Sequence, residues 1–485
     1  MNYADDSLML HTDLYQINMM ETYWREGKHE RKAVFELYFR KLPFGNGFAI
    51  FAGLERILSY IKNCRFTESD IDYLRNEVGY KEDFLAYLKK LTFSGDIYCM
   101  EEGELVFANE PILRVEAPIA EAQLIETALL NIVNYQTLIA TKAARMKQVI
   151  GDQTAMEFGT RRAQEMDAAI WGTRAAYIGG FSATSNVRAG KIFDIPVSGT
   201  HAHALVQAYQ DEYEAFKSYA NSHTECVFLV DTYDTLRSGV PNAIKVAKEF
   251  GDKIHFKGIR LDSGDLAYLS KKAREMLDEA GFSDAKIIAS NDLDEYTIMN
   301  LQAEGAKIDI WGIGTKLITA YDQAALGAVY KLVSIENEHG EMEDTIKLSG
   351  NPEKISTPGQ KRVYRIINNE NNHAEGDYIT LASEAITQEP LKMFHPVHPY
   401  LNKVVTNYRA IELHHQVIKN GQVHFETPAL KDIQMKAKEN LNLLWNEYKR
   451  TLNPEEYPVD LSKACWENKR NSIEEMKEKT RRIKL

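Results

Sequence analysis

Short apolar runs alternate with amphipathic segments between residues 155 and 332. Each run ends in glycine, serine, threonine, aspartate or arginine, and the segment after it has apolar residues at helical spacing. The run ends are TAMEFGTRR, GGFSATSN, IPVSGTHAH, CVFLVDTYDT, FKGIRLDSGDL, KIIASNDLD and IDIWGIGTK. Strands that alternate with helices in this way predict parallel β-α units. About seven such units favour a closed or nearly closed α/β barrel over an open sheet.

The flanking regions follow a different pattern. Upstream, KAVFELYFRKL predicts a strand, FAGLERILSYI a helix and SGDIYCMEEGELVFANEPILRVEAP several strands. Downstream come three hairpins, and the last, HHQVIKNGQVHFE, has Asn-Gly at a two-residue turn. Charge-rich helices end the chain. We therefore predict an N-terminal α+β domain over 1–116, an α/β barrel catalytic domain over 117–332, a β-rich segment over 333–426 and a helical segment over 427–485.

Composition narrows the class of protein. A hydrophobic content of 44% and a charged content of 26% are ordinary for a soluble globular chain. The net charge of −12 argues against a general nucleic-acid binder, because no basic excess neutralises phosphates. A local arginine cluster that binds a small anion remains compatible with this net charge.

Cysteine usage and the chain's apolar segments predict a cytoplasmic protein with no membrane partner. The cysteines are far apart, as expected of reduced thiols: Cys64, Cys99, Cys226 and Cys465. The N-terminal stretch MNYADDSLMLHTDLYQ has acids where a signal peptide has bases. The most apolar long helix candidate is interrupted by Glu121 and Glu126, which excludes it as a membrane span.

Three of the loops after the apolar runs suit an anionic ligand. GIGTKL (312–317) offers backbone amides, a threonine hydroxyl and a helix N-terminus to a phosphate, although a bare turn has the same sequence. IRLDSGDL (259–266) combines Arg260 with two aspartates, which can hold ribose hydroxyls or a hydrated Mg²⁺, or can form a capped turn with a surface ion pair. MEFGTRRAQEMD (156–167) places Arg161 and Arg162 near a helix start, which makes sense if an anion lies between them. One of those two arginines could equally be a solvated surface residue.

The string VSGTHAHALVQAY contains His201 and His203 two positions apart, and three interpretations stay open. A metal-dependent barrel hydrolase would need further histidine ligands on later strands, and the later run ends contain none. The histidines could be ordinary core residues. The third interpretation is an imidazole in a phosphate-rich pocket that attacks a phosphoryl group and carries it.

Taken together, these strings resemble the nicotinate phosphoribosyltransferase family over most of the chain. TDLYQINM, FELYFRKLPFGNGFAIFAGLE and EGELVFANEPILRVEAPIAEAQLIETALLN are similar to its N-terminal half. FGTRRAQ, GGFSATSNVRAG, GTHAHA, RLDSGDL, SNDLDE and GIGT are similar to its barrel loops, and TPGQKRVYR to a later segment. The resemblance implies a type II phosphoribosyltransferase fold. This is an irregular α/β barrel with an N-terminal α+β domain that later chain completes, assembled as a homodimer.

The same resemblance implies an enzyme that joins nicotinate to phosphoribosyl pyrophosphate. The products are nicotinate mononucleotide and pyrophosphate, formed for NAD biosynthesis with Mg²⁺ and coupled to ATP hydrolysis. It implies that His203 is transiently phosphorylated, that Thr200 and Arg260 contact nicotinate and that Phe158 stacks on its ring. Tyr15 is expected to close the ring's other face from the partner subunit. No family role is assigned to His201.

The remaining carried-over positions contact phosphate groups or the sugar. The resemblance assigns Arg161 and Arg162 to pyrophosphate or phosphate groups, Asp262 and Asp265 to the ribose and Mg²⁺, and Gly314 with Thr315 to the 5′-phosphate, with Ser263 and Gly264 as further substrate contacts. Nicotinamide-using relatives are expected to carry an acid in the loop that matches FSATSNVRAG. That loop is acid-free here, which favours nicotinate. A nicotinamide phosphoribosyltransferase and a non-catalytic sugar-phosphate sensor remain the alternatives on this scaffold.

Overall fold

The computed structural model of the chain describes residues 8–351, 354–387, 389–398 and 400–482. The chain forms two compact units. The barrel unit is residues 139–324, and the flanking unit combines the chain up to residue 138 with the chain from residue 325 onward. The domain bounds expected from the sequence, at 116, 332 and 426, stay a prediction.

The first part of the flanking unit mixes helices with antiparallel strands. In chain order its elements are α1 (Leu14–Arg25), β1 (Lys32–Phe39), β2 (Ala49–Ile50), α2 (Leu54–Lys62), α3 (Glu68–Tyr73), α4 (Glu82–Leu88), β3 (Asp96–Cys99), β4 (Leu105–Val106), β5 (Leu113–Pro118) and α5 (Ile119–Leu124). Helix α6 (Glu126–Ile150) continues the chain across the unit boundary. Strand β1 is almost wholly buried, which explains its nearly continuous apolar sequence.

The barrel unit alternates strands with helices. Its further elements are β6 (Thr154–Glu157), α7 (Glu165–Ile178), β7 (Ala183–Thr184), α8 (Val187–Phe193), α9 (His203–Gln207), α10 (Glu212–Ser222), β8 (Glu225–Leu229), α11 (Val240–Phe250), β9 (His255–Leu261), α12 (Leu266–Glu279), β10 (Lys286–Ser290), α13 (Glu295–Ala303), β11 (Ile310–Ile313) and α14 (Thr315–Ile318). Within the described residues, its strands form one parallel sheet in the order β7-β6-β11-β10-β9-β8. All strand-end loops therefore lie at one edge, as expected for a site.

This sheet confirms the predicted irregular α/β barrel, with one correction. The sheet is curled and open, with β7 and β8 at its two ends, so the barrel is a half-barrel and is not closed. Six of the seven apolar runs are strands. The seventh, IPVSGT, contributes only a single bridge between Val197 and Thr184, because Pro196 has no amide hydrogen for a sheet ladder.

The chain after residue 325 completes one large sheet of the flanking unit and forms a second large sheet. Its elements are β12 (Ala328–Glu336), β13 (Met342–Asp344), β14 (Lys361–Asn368), β15 (Ala374–Leu381), β16 (Leu391–Phe394), β17 (Asn402–Val405), β18 (Tyr408–Glu412), β19 (His415–Lys419), β20 (Gln422–Val423), α15 (Leu430–Leu443), α16 (Asn446–Lys449), β21 (Val459–Leu461) and α17 (Lys463–Arg482). One sheet has the order β13-β12-β1-β5-β3-β19-β20 and another the order β17-β16-β21-β15-β14-β18, with a small β2-β4 pair beside them. Later strands β12 and β19 thus complete a sheet begun by β1, β3 and β5.

The three predicted hairpins are confirmed as the pairs β12-β13, β14-β15 and β19-β20. At the last turn, Asn420 and Gly421 both have positive φ, as this turn type requires. A side chain at Gly421 would also meet the backbone oxygen of Phe93, so the turn needs glycine. Strand β21, inside the predicted C-terminal helices, was not predicted. It is only three residues long, too short for its alternation to be visible.

Candidate functional site

A cavity of about 540 Å³ opens at the strand-end edge of the barrel unit. The residues that line it come from loops that are far apart in the sequence. They are Phe158, Arg161, Arg162, Ser185, Gly199, Thr200, His201, Ala202, His203, Arg260, Asp262, Ser290, Asn291, Asp292, Gly312, Gly314 and Thr315. We call this cavity the polar pocket.

Phe158 follows β6 directly and lines the polar pocket. The loop that carries it is held by hydrogen bonds to Glu157. The buried Glu157 carboxylate accepts hydrogen bonds from the Gly159 amide and from the hydroxyls of Thr173 and Thr184. Burial raises the pKa of this carboxyl. Gly312 on β11 leaves room for the aromatic ring, since a Cβ there would lie 2.6 Å from Phe158. The ring's position therefore depends on two strands.

Three arginines surround the polar pocket. Arg161 and Arg162 are exposed, and their side chains have no hydrogen bond or ion pair with any described residue. Arg260 at the end of β9 donates from Nη1 to the Thr200 hydroxyl at 2.7 Å, and its Nε is buried without an acceptor among the described residues. Burial lowers the pKa of the Arg260 guanidinium, and Asp262 and Asp231 offset part of that shift. The pocket therefore holds positive charge that the protein itself does not neutralise.

The two histidines of the GTHAHA string have opposite environments. His201 is 8% exposed and packs beside Phe216, Tyr219 and Phe228. Its Nε2 accepts the Leu229 amide at 3.2 Å, and burial lowers the pKa of its imidazole to about 4. His201 is thus a neutral core residue whose edge reaches the pocket.

His203 is the first residue of α9, and its side chain is 38% exposed. Its Nδ1 lies 3.0 Å from the Thr232 hydroxyl, and its Nε2 lies 3.8 Å from the Asp262 carboxylate. These contacts orient the ring while leaving it open to the polar pocket. This imidazole has the access and the orientation that a nucleophile needs.

Asp262 is held by neighbours from other loops. Its Oδ1 accepts the Ser290 hydroxyl at 2.5 Å, and its amide donates to Asp231 Oδ2 at 2.8 Å. The Ser263 hydroxyl donates to the same Asp231 oxygen at 2.7 Å. Asp231 and Ser290 were not singled out from the sequence, because hydrogen bonds between loops of different strands have no spacing signature.

The rest of the RLDSGDL loop turns away to begin α12. Ser263, Gly264 and Asp265 are not among the described residues that line the polar pocket. Asp265 caps α12 by accepting the Tyr268 amide at 2.9 Å, and Gly264 has a φ of 77° in the turn before it. Asp265 therefore forms a capped turn, which was the alternative interpretation of this loop.

Gly314 follows β11 and caps the short helix α14, which Thr315 begins, and both residues line the polar pocket. A Cβ at Gly314 would lie 3.1 Å from the Phe158 carbonyl oxygen. Tyr15, on α1, belongs to the flanking unit and is 50% exposed. Its expected role across a subunit interface stays a prediction.

The sequence analysis did not select several lining residues, namely Ser185, Ser290, Asn291 and Asp292. Asn291 and Asp292 have positive φ, which places them in an uncommon backbone conformation at the rim. The SNDLD string at this run end was the signal that could have identified them.

Neither a membrane span nor a metal cluster is found in the described part of the chain. No helix there is long and apolar enough to cross a membrane. In residues 8–351, 354–387, 389–398 and 400–482, no group of three or more His, Cys, Asp or Glu side chains is arranged to hold a metal ion.

A parallel α/β sheet whose strand-end pocket carries unneutralised arginines defines a barrel-type protein for a small anionic ligand. Comparison with known families is more specific. The model of the nicotinate phosphoribosyltransferase family matches residues 154–368, and those of its N-terminal and C-terminal domains match residues 10–134 and 360–469. The chain is 70% identical to the nicotinate phosphoribosyltransferase of Bacillus subtilis, over 98% of this chain and 97% of that protein. It is 31% identical to the human nicotinate phosphoribosyltransferase, over 93% and 94%. The chain belongs to the nicotinate phosphoribosyltransferase family.

Solved structures agree with this assignment. The crystal structure of human nicotinic acid phosphoribosyltransferase is similar with a TM-score of 0.85 and 29% identity, covering 95% of this chain and 99% of that chain. A nicotinate-nucleotide pyrophosphorylase from Pyrococcus furiosus shares the fold with a TM-score of 0.69 and 22% identity, over 91% and 97%.

Proposed function

We propose that the chain transfers the phosphoribosyl group of phosphoribosyl pyrophosphate to nicotinate, forming nicotinate mononucleotide and pyrophosphate for NAD biosynthesis. The observation that carries the proposal is the polar pocket. It combines an aromatic ring, unneutralised arginines, a carboxylate and a glycine-threonine turn from separate loops. Family membership specifies which reaction those groups perform.

The charges of the reaction fit these groups. The pyridine nitrogen attacks C1 of the ribose, the C1–oxygen bond to pyrophosphate breaks, and the leaving group takes the electron pair. Positive charge develops on the sugar and negative charge on the leaving group. Arg161 and Arg162 stabilise the pyrophosphate, the Asp262 carboxylate stabilises the sugar, and Gly314 with Thr315 hold the 5′-phosphate.

An anionic base suits the other end of the polar pocket. The Arg260 guanidinium, oriented by Thr200, pairs with the nicotinate carboxylate, and Phe158 stacks on the pyridine ring. Ser185, from the acid-free loop after β7, contributes no negative charge to the lining. These features favour nicotinate over nicotinamide.

ATP drives the cycle through a phosphohistidine at His203. The γ-phosphoryl group moves from ATP to the imidazole, so the terminal O–P bond breaks, an N–P bond forms and ADP leaves. Water later cleaves the N–P bond. A phosphoryl group that changes the affinity for one substrate must couple the two equilibria, which is how ATP hydrolysis would draw the condensation forward. The open ring of His203, held by Thr232, supports this role.

Mg²⁺ is proposed as the accompanying metal. Its usual sites pair one or two carboxylates with substrate phosphates, so a three-residue protein cluster is not required. Asp262 fits, since its side chain is 36% exposed and Ser290 donates to Oδ1 and not to Oδ2. Asp265 fits less well, because its carboxylate caps α12. The ion would neutralise pyrophosphate charge as that group leaves.

A homodimer and a cytoplasmic location complete the proposal. Helix α1 exposes Leu14, Tyr15 and Met19, an apolar surface that supports a subunit contact in which Tyr15 reaches the partner's site. The four cysteines are free and buried, as expected in a reducing compartment.

Product formation with different pyridine bases tests the substrate assignment. The chain is incubated with phosphoribosyl pyrophosphate, Mg²⁺, ATP and nicotinate, nicotinamide or quinolinate, and mononucleotides are measured. We expect mononucleotide to form much faster with nicotinate than with the other two bases. Faster turnover of nicotinamide would reject the base assignment and leave the reaction class standing. Binding without turnover would favour the sugar-phosphate sensor.

Labelling with γ-³²P ATP tests the phosphohistidine. We expect an acid-labile label that His203→Gln abolishes and that His223→Gln, a change at an exposed histidine of the same unit, leaves intact. Label that persists in His203→Gln would refute the assignment.

A further inference from the structure

A second cavity, of about 60 Å³, lies within the flanking unit. Strands of both large sheets and helix α17 contribute to its wall. The residues that line it are Glu36, Tyr38, Asn109, Pro111, Ile355, Thr357, Lys361, Ile379, Pro396, Val397, Val459, Leu461 and Lys469. The exposed Asn109 and Val397 are on the wall, so solvent can reach the interior there. We call it the small cavity.

The two lysines of the small cavity differ in what holds them. The Lys361 ammonium pairs with Glu36 Oε2 at 2.9 Å and donates to the carbonyl oxygens of Thr357 and Gly359 at 2.7 and 2.6 Å. Its three donor hydrogens are therefore used. Lys469 is only 8% exposed, yet its side-chain nitrogen has no hydrogen bond or ion pair with any described residue. The cavity thus contains one ammonium group without an acceptor.

An ammonium group that faces a small, mostly apolar cavity without a protein acceptor is unfavourable unless something in the cavity compensates its charge. Burial lowers the pKa of Lys469 to about 8, and the nearby Lys361 ammonium acts in the same direction. Among the described residues of the cavity wall, the one carboxylate is Glu36, which is already paired with Lys361, so the uncompensated charge of these residues is positive. The compensating group is therefore expected to be an anion of single charge.

The size of the small cavity and the chemistry of its wall limit which anions it can hold. At about 15 Å³ for each water-sized position, the small cavity holds on the order of four non-hydrogen atoms. Acetate has this size, whereas a pyridine carboxylate is roughly twice as large and exceeds the small cavity. Most of the wall is apolar, including Ile379, Val459 and Leu461. Such a wall suits a short alkyl group better than the fully hydrated surface of a phosphate.

We propose that the small cavity binds a short-chain monocarboxylate, with the carboxylate on the Lys469 ammonium and the alkyl end against the apolar wall. The ligand exchanges through the side that bears Asn109 and Val397. This binding is independent of the reaction proposed for the polar pocket, because the two cavities share no lining residue.

Titration of the full-length chain with ¹³C-acetate, followed by NMR, tests the site. Saturating nicotinate blocks the carboxylate position proposed in the polar pocket. We expect acetate binding that nicotinate does not displace and that Lys469→Met weakens at least about tenfold. Lys463→Met is the matched control, because Lys463 is on the same helix and is exposed. Absence of binding, equal binding by Lys469→Met, or complete displacement by nicotinate would each overturn the proposal.

Chemical labelling of the unmodified chain gives a second measurement that needs no variant. Lysines are reductively methylated with and without acetate, and peptides are analysed by mass spectrometry. Acetate should slow the labelling of Lys469 and leave that of Lys463 unchanged. Equal effects on both lysines, or stronger protection by inorganic phosphate than by acetate, would contradict a monocarboxylate site.

Discussion

The side chains of Arg260, in the barrel unit, and Arg365, in the flanking unit, both end beside carboxylates. The two units use these arginines differently. In the flanking unit, Arg365 is 2% exposed and bonds Asp377 through Nε and Nη2 at 2.9 and 2.7 Å, with Glu104 on Nη1. We call these three residues the buried charge cluster. In the polar pocket, the Arg260 side chain bonds only a neutral hydroxyl, and the side chains of Arg161 and Arg162 bond no described residue. Every charged group of the cluster contacts an oppositely charged group, whereas the polar pocket leaves positive charge for a ligand.

The lesson is that exposure and pairing, more than residue type, separate a structural charge from a functional one. A fully paired buried arginine holds strands together, and its loss leaves carboxylates without compensation. An unneutralised arginine in a pocket contributes little to folding and is available to a substrate anion. Changes in the two regions should therefore affect different measured quantities.

The largest expected effect is on stability, from Arg365→Met. It leaves Asp377 and Glu104 buried without their partner, so we expect the free energy of unfolding to fall by about 3–5 kcal/mol. Urea unfolding measures it. Arg362→Met on the same strand is the control, because Arg362 pairs loosely with Glu412 at 3.7 Å on the surface. Similar losses from both changes would contradict the comparison.

His203→Gln should act on turnover and leave folding intact. We expect the ATP-dependent part of kcat/KM to fall at least roughly 100-fold, because no side chain remains to carry the phosphoryl group. Initial rates with and without ATP measure this, and the urea midpoint should stay near that of the unmodified chain. Undiminished stimulation by ATP would refute the role of His203.

The pH dependence of stability should separate the two histidines. The pKa of His201 is about 4 in the fold against an ordinary value of 6.5, so only the unfolded chain gains a proton there as pH falls between these values. Stability is lost over that window, by on the order of 3 kcal/mol in all and about 2 kcal/mol between pH 7 and pH 5.

Urea unfolding at pH 7 and pH 5 checks this prediction. The His201→Gln chain should lose much of the difference between the two pH values, and the His203→Gln chain should retain it. An unchanged pH dependence in His201→Gln would show that His201 is not the neutral core imidazole described here.

The smallest expected effect comes from Ser290→Ala, which removes the hydroxyl that orients Asp262. We expect kcat/KM to fall about tenfold with stability nearly unchanged, since one hydrogen bond to a charged group is lost. Ser270→Ala is a control at a buried serine of the same unit outside the polar pocket. An effect of Ser290→Ala on stability alone would make Ser290 a structural residue.

The strand-end loops of the barrel unit were predictable because short apolar runs, such as the one within β10, are a local signal. The roles of the individual residues in the polar pocket were less predictable from the sequence. The sequence places His201 and His203 in the same string, and only their packing distinguishes them. The contacts of Asp231 and Ser290 with Asp262 join residues 28 to 31 positions apart, and no spacing rule covers such pairs.

The flanking unit shows the same limit. Its hairpins follow from alternation and from the Asn-Gly turn. The small cavity does not, because Glu36, Lys361 and Lys469 come from three distant segments. In the sequence, Lys469 is one more cation in a charge-rich helix, and only its burial against two sheets sets it apart.

The most direct test of the central claim is a crystal structure of the full-length chain with nicotinate mononucleotide, pyrophosphate and Mg²⁺. We predict the 5′-phosphate at Gly314 and Thr315, the pyridine ring on Phe158 with its carboxylate toward Arg260, and pyrophosphate beside Arg161 and Arg162. A nucleotide bound away from these residues, with the arginines still facing solvent, would contradict it.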